Sequence, residues 1–127
     1  MLKARFFPGV ILCMLLPLAQ GQSHSNTWSE VRENGSGTLV VAYSENSPFI
    51  YNDDQGKLAG IEFELMEEFV RFMDEKYGVK LYLEYEHLYD FDSLLDTLKN
   101  TRRPILGMAS ISSLEERKKD FKITDPY

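Results

Sequence analysis

The sequence is short of the groups on which much enzyme chemistry relies. It holds one cysteine, Cys13, and two histidines, His24 and His87. A lone thiol excludes an internal disulfide framework, and so few sulfur and imidazole donors leave no zinc-type ligand set. The histidines are far apart, one near the N-terminal segment and one in a polar stretch, and each reads as a surface residue. No Ser/His/Asp arrangement, cysteine nucleophile or phosphate-cradling glycine loop is present, so the chain is expected not to be an enzyme and to use no cofactor or metal. Positive charge is also scarce. Fourteen Lys and Arg stand against 20 Asp and Glu, a formal charge of −6, which argues against nucleic acid as a partner.

Long apolar runs are lacking too. Residues 6–18 form an apolar stretch too short to span a bilayer comfortably, and Pro8 and Pro17 interrupt it. With Lys3 and Arg5 before it and Ala19-Gln20-Gly21 after it, the stretch has the form of an export signal. Residues 1–21 are therefore expected to be a cleavable signal peptide and the mature protein periplasmic. Cys13 leaves with the signal, because Leu12 before it is too large for a lipoprotein signal. Residues 22–38 are polar and expected to be a flexible leader, or a short helix around 28–32. Asn34-Gly35-Ser36 fits the N-glycosylation pattern but also reads as a linker.

What remains is patterned as one α/β unit. Residues 39–43 and 105–109 are continuous apolar runs, which suit strands covered on both faces at the centre of a parallel sheet. Residues 79–85 alternate and suit a sheet edge. Residues 49–59 read as a small hairpin around 52–56. Ile61, Leu65, Phe69, Phe72 and Met73 recur at helical spacing opposite Glu64, Glu67, Glu68, Arg71 and Glu75, and the helix ends at Gly78. Phe91, Leu94, Leu95 and Leu98 mark a second helix capped by Asp90. A third helix is expected around 114–119 and a last strand over 121–124.

Ligands in such sheets bind beyond the carboxyl ends of the strands. Two loops qualify, 44–49 and 110–116, and they should be neighbours. The second offers Ser110, Ser112 and Ser113, then Arg117 on the opening turns of the third helix, with Ser113 and Glu116 as a capping box. Hydroxyls, N–H donors and a guanidinium in one place would suit a carboxylate.

Residues 39–127 resemble the first lobe of the bacterial extracellular solute-binding proteins of the polar amino-acid type, the receptors of ABC importers. The resemblance rests on Val40-Val41-Ala42 leading to Pro48-Phe49, and on Gly60-Ile61-Glu62-Phe63-Glu64-Leu65. It continues through Phe91, Leu94-Leu95 and Leu98, then Ser110-Ile111-Ser112 with Glu116-Arg117, then Asp120-Phe121 and Asp125-Pro126-Tyr127. It implies a periplasmic-binding-protein-like (type II) lobe, a mainly parallel sheet with helices on both faces, in which the second lobe is absent.

The resemblance also implies roles. Ser112 and Arg117 fall where members hold the ligand's α-carboxylate, Ser110 where a backbone carbonyl receives its ammonium group, and Phe91 where an aromatic covers its side chain. Tyr43 at the end of the first strand, and Asn46 and Phe49 in the loop after it, are the other candidate ligand contacts, with Tyr43 and Asn46 standing where members often place an acid and an aromatic. Leu114 replaces a usual threonine. The expected function is capture of an amino acid or similar small carboxylate for ABC-type import, with an importer permease as partner. The alternative is the binding module of a membrane-bound lytic transglycosylase or of a sensor kinase. A lobe without its second half cannot close over a ligand, so weak binding and weak stability are expected.

Overall fold

The computed structural model describes residues 24–125, and strand β1 (Ser36–Tyr43) lies at its centre. Val40, Val41 and Ala42 are fully buried, as a strand covered on both faces requires. In chain order follow α1 (Trp28–Asn34, preceding β1), the two-residue strands β2 (Tyr51–Asn52) and β3 (Leu58–Ala59), α2 (Ile61–Tyr77), β4 (Lys80–His87), α3 (Phe91–Asn100) and β5 (Ile105–Met108). The main sheet has the order β4-β1-β5, with both pairs parallel, and β2 pairs antiparallel with β3. The export segment assigned to 1–21 lies outside the described residues, as do Pro126 and Tyr127.

The helices cover opposite faces. On one, Met66 of α2 packs with Val41, Tyr43, Ile50 and Met108. On the other, Leu94 of α3 packs with Ala42 and Ala109. Asp90 caps α3 by accepting from the Ser93 amide at 2.7 Å, as its position suggested. Among the described residues β4 lies at the sheet margin, consistent with its alternating pattern.

Several elements differ from expectation. The segment before residue 39 is the short helix rather than a flexible leader: Thr27 and Glu30 form a capping box, and Val31 packs on Met73, Val79 and Leu81. Ahead of it, Asn26 donates its amide to the Thr38 carbonyl and Ser25 Oγ accepts from Val40. Strand β1 accordingly starts at Ser36. Strand β5 is not a buried central strand: it has one strand neighbour among the described residues, β1, and Leu106 is exposed.

Helix α2 buries a different face from the one expected. Met73 is in the core, but Ile61, Leu65, Phe69 and Phe72 are each more than a third exposed, while Glu62, Met66 and Met73 are buried. The helix is apolar over a wide arc, and the amphipathic pattern leaves two neighbouring stripes, 61/65/69/72 and 62/66/70/73, one residue apart. Its entry decides between them, for the Ile61 amide donates to the Pro48 carbonyl and the Glu62 amide to that of Phe49.

The expected third helix is reduced to a single 3₁₀ turn, Arg117–Lys119, with no side-chain cap. The stretch between Ser113 and Asp120 is too short for an α-helix to be stable without burial, and none of its residues is buried. Residues 121–124 run as coil and join no strand.

Candidate functional site

The order β4-β1-β5 places successive crossovers on opposite sides of β1, which creates a crevice at the carboxyl ends of β1 and β5. The two loops leaving those ends are bonded together. The Ser44 amide donates to the Met108 carbonyl at 3.3 Å, and the Asn46 side-chain amide donates to the Ala109 carbonyl at 3.1 Å. From the other side the first turn of α2 closes on both, because Glu62 Oε1 accepts from the Ser110 amide at 2.9 Å.

A cleft of about 1020 Å³ opens there, and Phe49, Glu62, Ser110 and Ser112 contribute to its wall with Leu98 and Phe121. A wall with aromatic and aliphatic surface and a few convergent polar groups suits a small polar ligand. Of the seven residues singled out in the sequence, Phe49, Ser110 and Ser112 line this cleft.

Arg117 and Phe91 sit against one another beside it. The guanidinium carbon lies 5.2 Å from the ring centroid, and Nη1 donates to the Ser112 carbonyl at 3.3 Å. Arg117 thus reaches Ser112 from a 3₁₀ turn, and no α-helix dipole adds to its charge.

Tyr43 and Asn46 do not face the cleft. Tyr43 is buried, its ring stacked on His87 with centroids 5.0 Å apart and edge-on to Tyr85 at 6.4 Å. Its hydroxyl meets Asn52 Nδ2 at 3.3 Å, which also donates to Glu45 Oε1 at 2.5 Å. That bond, with a second from the Asn52 backbone amide, holds the Glu45 carboxyl below its usual range. Asn46 spends its amide on Ala109 and acts as a loop tie.

Glu62 was missed as a site residue. Its signal was present in the sequence, as an acid in line with Met66, Val70 and Met73 at helical spacing, where a carboxylate in an apolar stripe calls for a partner. The partner lies 48 residues further along the chain.

Comparison with known proteins accords with this arrangement. The profile of the bacterial extracellular solute-binding proteins, family 3, matches residues 39–127. The chain belongs to that family. A crystal structure of a point mutant of domain 1 from the T. maritima arginine-binding protein, in its arginine-bound form, resembles this solute-binding lobe with a TM-score of 0.56. The two are 28% identical, and the match covers 78% of this chain and 70% of that one. A histidine-bound ABC uptake transporter substrate-binding protein from Streptococcus pneumoniae has a TM-score of 0.54 over 79% of this chain and 37% of its own. At 20% identity it shares the fold alone.

By sequence, the membrane-bound lytic murein transglycosylase F of Pseudomonas putida is 33% identical over 102 residues, covering 80% of this chain and 19% of its own length. That of Pseudomonas fluorescens is 30% identical over 118 residues, covering 93% and 22%. The chain spans roughly a fifth of the length of these curated relatives. They correct the expectation of a non-enzyme, since the relatives are transglycosylases that match along the solute-binding region. The lack of a nucleophile and a base in a binding lobe bears only on the residues of that lobe, and catalytic groups of such relatives can lie in the four-fifths that it does not match.

Proposed function

We propose that this solute-binding lobe takes a small amino-acid-type ligand, held by its α-carboxylate, in the cleft beyond β1 and β5. The observation that carries the reading is the convergence of Ser110, Ser112 and Phe49 on one cleft, with the Arg117 guanidinium tied to Ser112 beside it. A guanidinium and short hydroxyls next to an aromatic wall favour a carboxylate through charge-assisted hydrogen bonds in a partly dried site. The arginine-bound form of domain 1 among the structural neighbours supports a ligand held by residues of this lobe.

Two contexts fit the family. One is delivery of the ligand to an importer permease by an exported, periplasmic protein whose residues 1–21 direct export. The other is a ligand-reading module within a murein-lytic protein, and the transglycosylase relatives favour it.

Calorimetric titration of the chain with L-arginine and with agmatine, which lacks the carboxylate, tests the reading. L-arginine is expected to bind, and agmatine to bind about ten- to a hundredfold more weakly. Replacing Arg117 by alanine should narrow that gap. Equal affinity for the two compounds, or no binding of L-arginine, overturns the proposal.

A further inference from the structure

We infer that Glu62 is a positioning residue, a latch that holds the loop after β5 in the shape that accepts a ligand. The inference rests on the ligand cleft proposed above and assigns the part of α2 in it.

Ser110 is strained. It has φ 53 and is the one non-glycine residue with positive φ among the described residues. Without a Cβ that conformation is free; with one it is disfavoured, and it persists only where the surroundings over-determine it. The surroundings here are specific. Glu62 is 6% exposed and accepts from the Ser110 amide at 2.9 Å, while the preceding residue, Ala109, is buried and held by Asn46 through its carbonyl. A carboxylate makes a stronger acceptor than an amide or hydroxyl would, which suits a bond that must offset strain.

Glu62 is itself fixed. Its backbone amide donates to Phe49 at 2.8 Å, and the preceding Ile61 amide donates to Pro48 at 3.1 Å. One residue therefore joins the loop after β1, through its backbone, to the loop after β5, through its side chain. Phe49, Ser110 and Ser112, the groups that line the cleft, are set relative to one another through it. If the latch opens, Ser110 relaxes to negative φ, its peptide planes rotate and the cleft loses its shape.

The test uses the full chain and the variants Glu62→Ala, Glu62→Gln, Ser110→Gly and the Glu62→Ala/Ser110→Gly pair. The unliganded protein is read by the ¹⁵N–¹H resonance and hydrogen exchange of the Ser110 amide, and binding by calorimetry with L-arginine.

Glu62→Ala is expected to shift the Ser110 resonance, speed its exchange and weaken L-arginine binding about tenfold, the scale of a left-handed residue's penalty. Glu62→Gln, which keeps an acceptor, should fall between Glu62→Ala and the wild type. Adding Ser110→Gly to Glu62→Ala should recover most of the affinity, because glycine adopts the required φ without strain. A purely structural bond would give no such rescue. If Glu62→Ala does not fold, Glu62→Gln alone decides, through a shifted Ser110 resonance and a several-fold loss of affinity.

Unchanged Ser110 resonance and exchange in the substituted protein overturn the latch, and so does a double variant no better than Glu62→Ala. Failure of the wild type to bind L-arginine instead overturns the functional reading, and the Ser110 amide still decides the latch.

Discussion

Replacing Gly60 by alanine should damage this fold more than any other exchange of glycine for alanine at a helix end. Gly60 precedes α2 with φ 119 and ψ 170, a region that only glycine occupies comfortably. A Cβ there would lie 2.7 Å from the Phe49 carbonyl carbon, closer still to its oxygen, and 3.0 Å from Ile50 Cα. These are backbone atoms, so relief requires moving the chain that carries the fully buried Ile50 and accepts the Glu62 amide. Backbone strain of about 1–3 kcal/mol together with forced displacement of a packed loop gives about 3–5 kcal/mol. A domain of this size has about 5–15 kcal/mol of stability, so the loss should lower Tm by about 15 °C or more. Gly78 supplies the control. It ends α2 at φ 65 with nothing within 4 Å of a built Cβ, so Gly78→Ala carries only the left-handed penalty of about 1–2 kcal/mol. Urea unfolding followed by far-ultraviolet circular dichroism measures both. Equal destabilisation by the two substitutions would refute the steric argument.

Leu94 is fully buried against Ala42 and Ala109, and Leu94→Ala should cost about 2–5 kcal/mol in the same assay, with a loss below 1 kcal/mol showing that α3 packs loosely. Burial, with a smaller contribution from the Glu67 charge, pushes the Tyr85 hydroxyl up to about 12, so the unfolded chain ionises first. Stability from this group is intact below about pH 10 and lost as pH climbs toward 12, and a Tyr85→Phe variant should lose less Tm than the wild type between pH 9 and 12. The Ser93 backbone amide holds Asp90 below the usual carboxylate range, so its contribution is present above that range and lost as pH falls through the lowered value. Asp90→Ala should therefore lower Tm at pH 7 and converge with the wild type in acid; a constant difference across pH would contradict the cap.

The elements set by local chemistry were legible in the sequence. Val40, Val41 and Ala42 suited a covered strand, Asp90 could cap α3, and Gly78 could end α2, because each rests on its own backbone preference. What failed depended on partners far away in the chain. Helix α2 has two adjacent apolar stripes, and the hydrogen bonds to Pro48 and Phe49 choose the one that holds a glutamate. Residues 105–109 look like a central strand by composition, yet β5 has a single strand neighbour among the described residues. Apolar composition reports what a segment can bury, and neighbours decide what it does bury.

The same distinction governs the site. Ser110, Ser112 and Phe49 reach one cleft because the parallel order of the sheet brings two carboxyl ends together, a consequence of topology that strand patterns anticipate. The helix thought to present Arg117 is a 3₁₀ turn, so Arg117 reaches Ser112 by side-chain length alone, with no α-helix dipole beside its charge. Asn46 and Tyr43 carry the residue types of a ligand contact but are consumed by Ala109 and by His87 and Asn52. Glu62 carries the residue type of an exposed first-turn acid but is buried against a strained serine. A polar side chain's role here follows from which partner claims it first, and the backbone of the loops at 44–49 and 109–112 makes most of those claims. Substitutions that free a side chain from the loop backbone should therefore disturb the cleft as much as substitutions of the residues that line it.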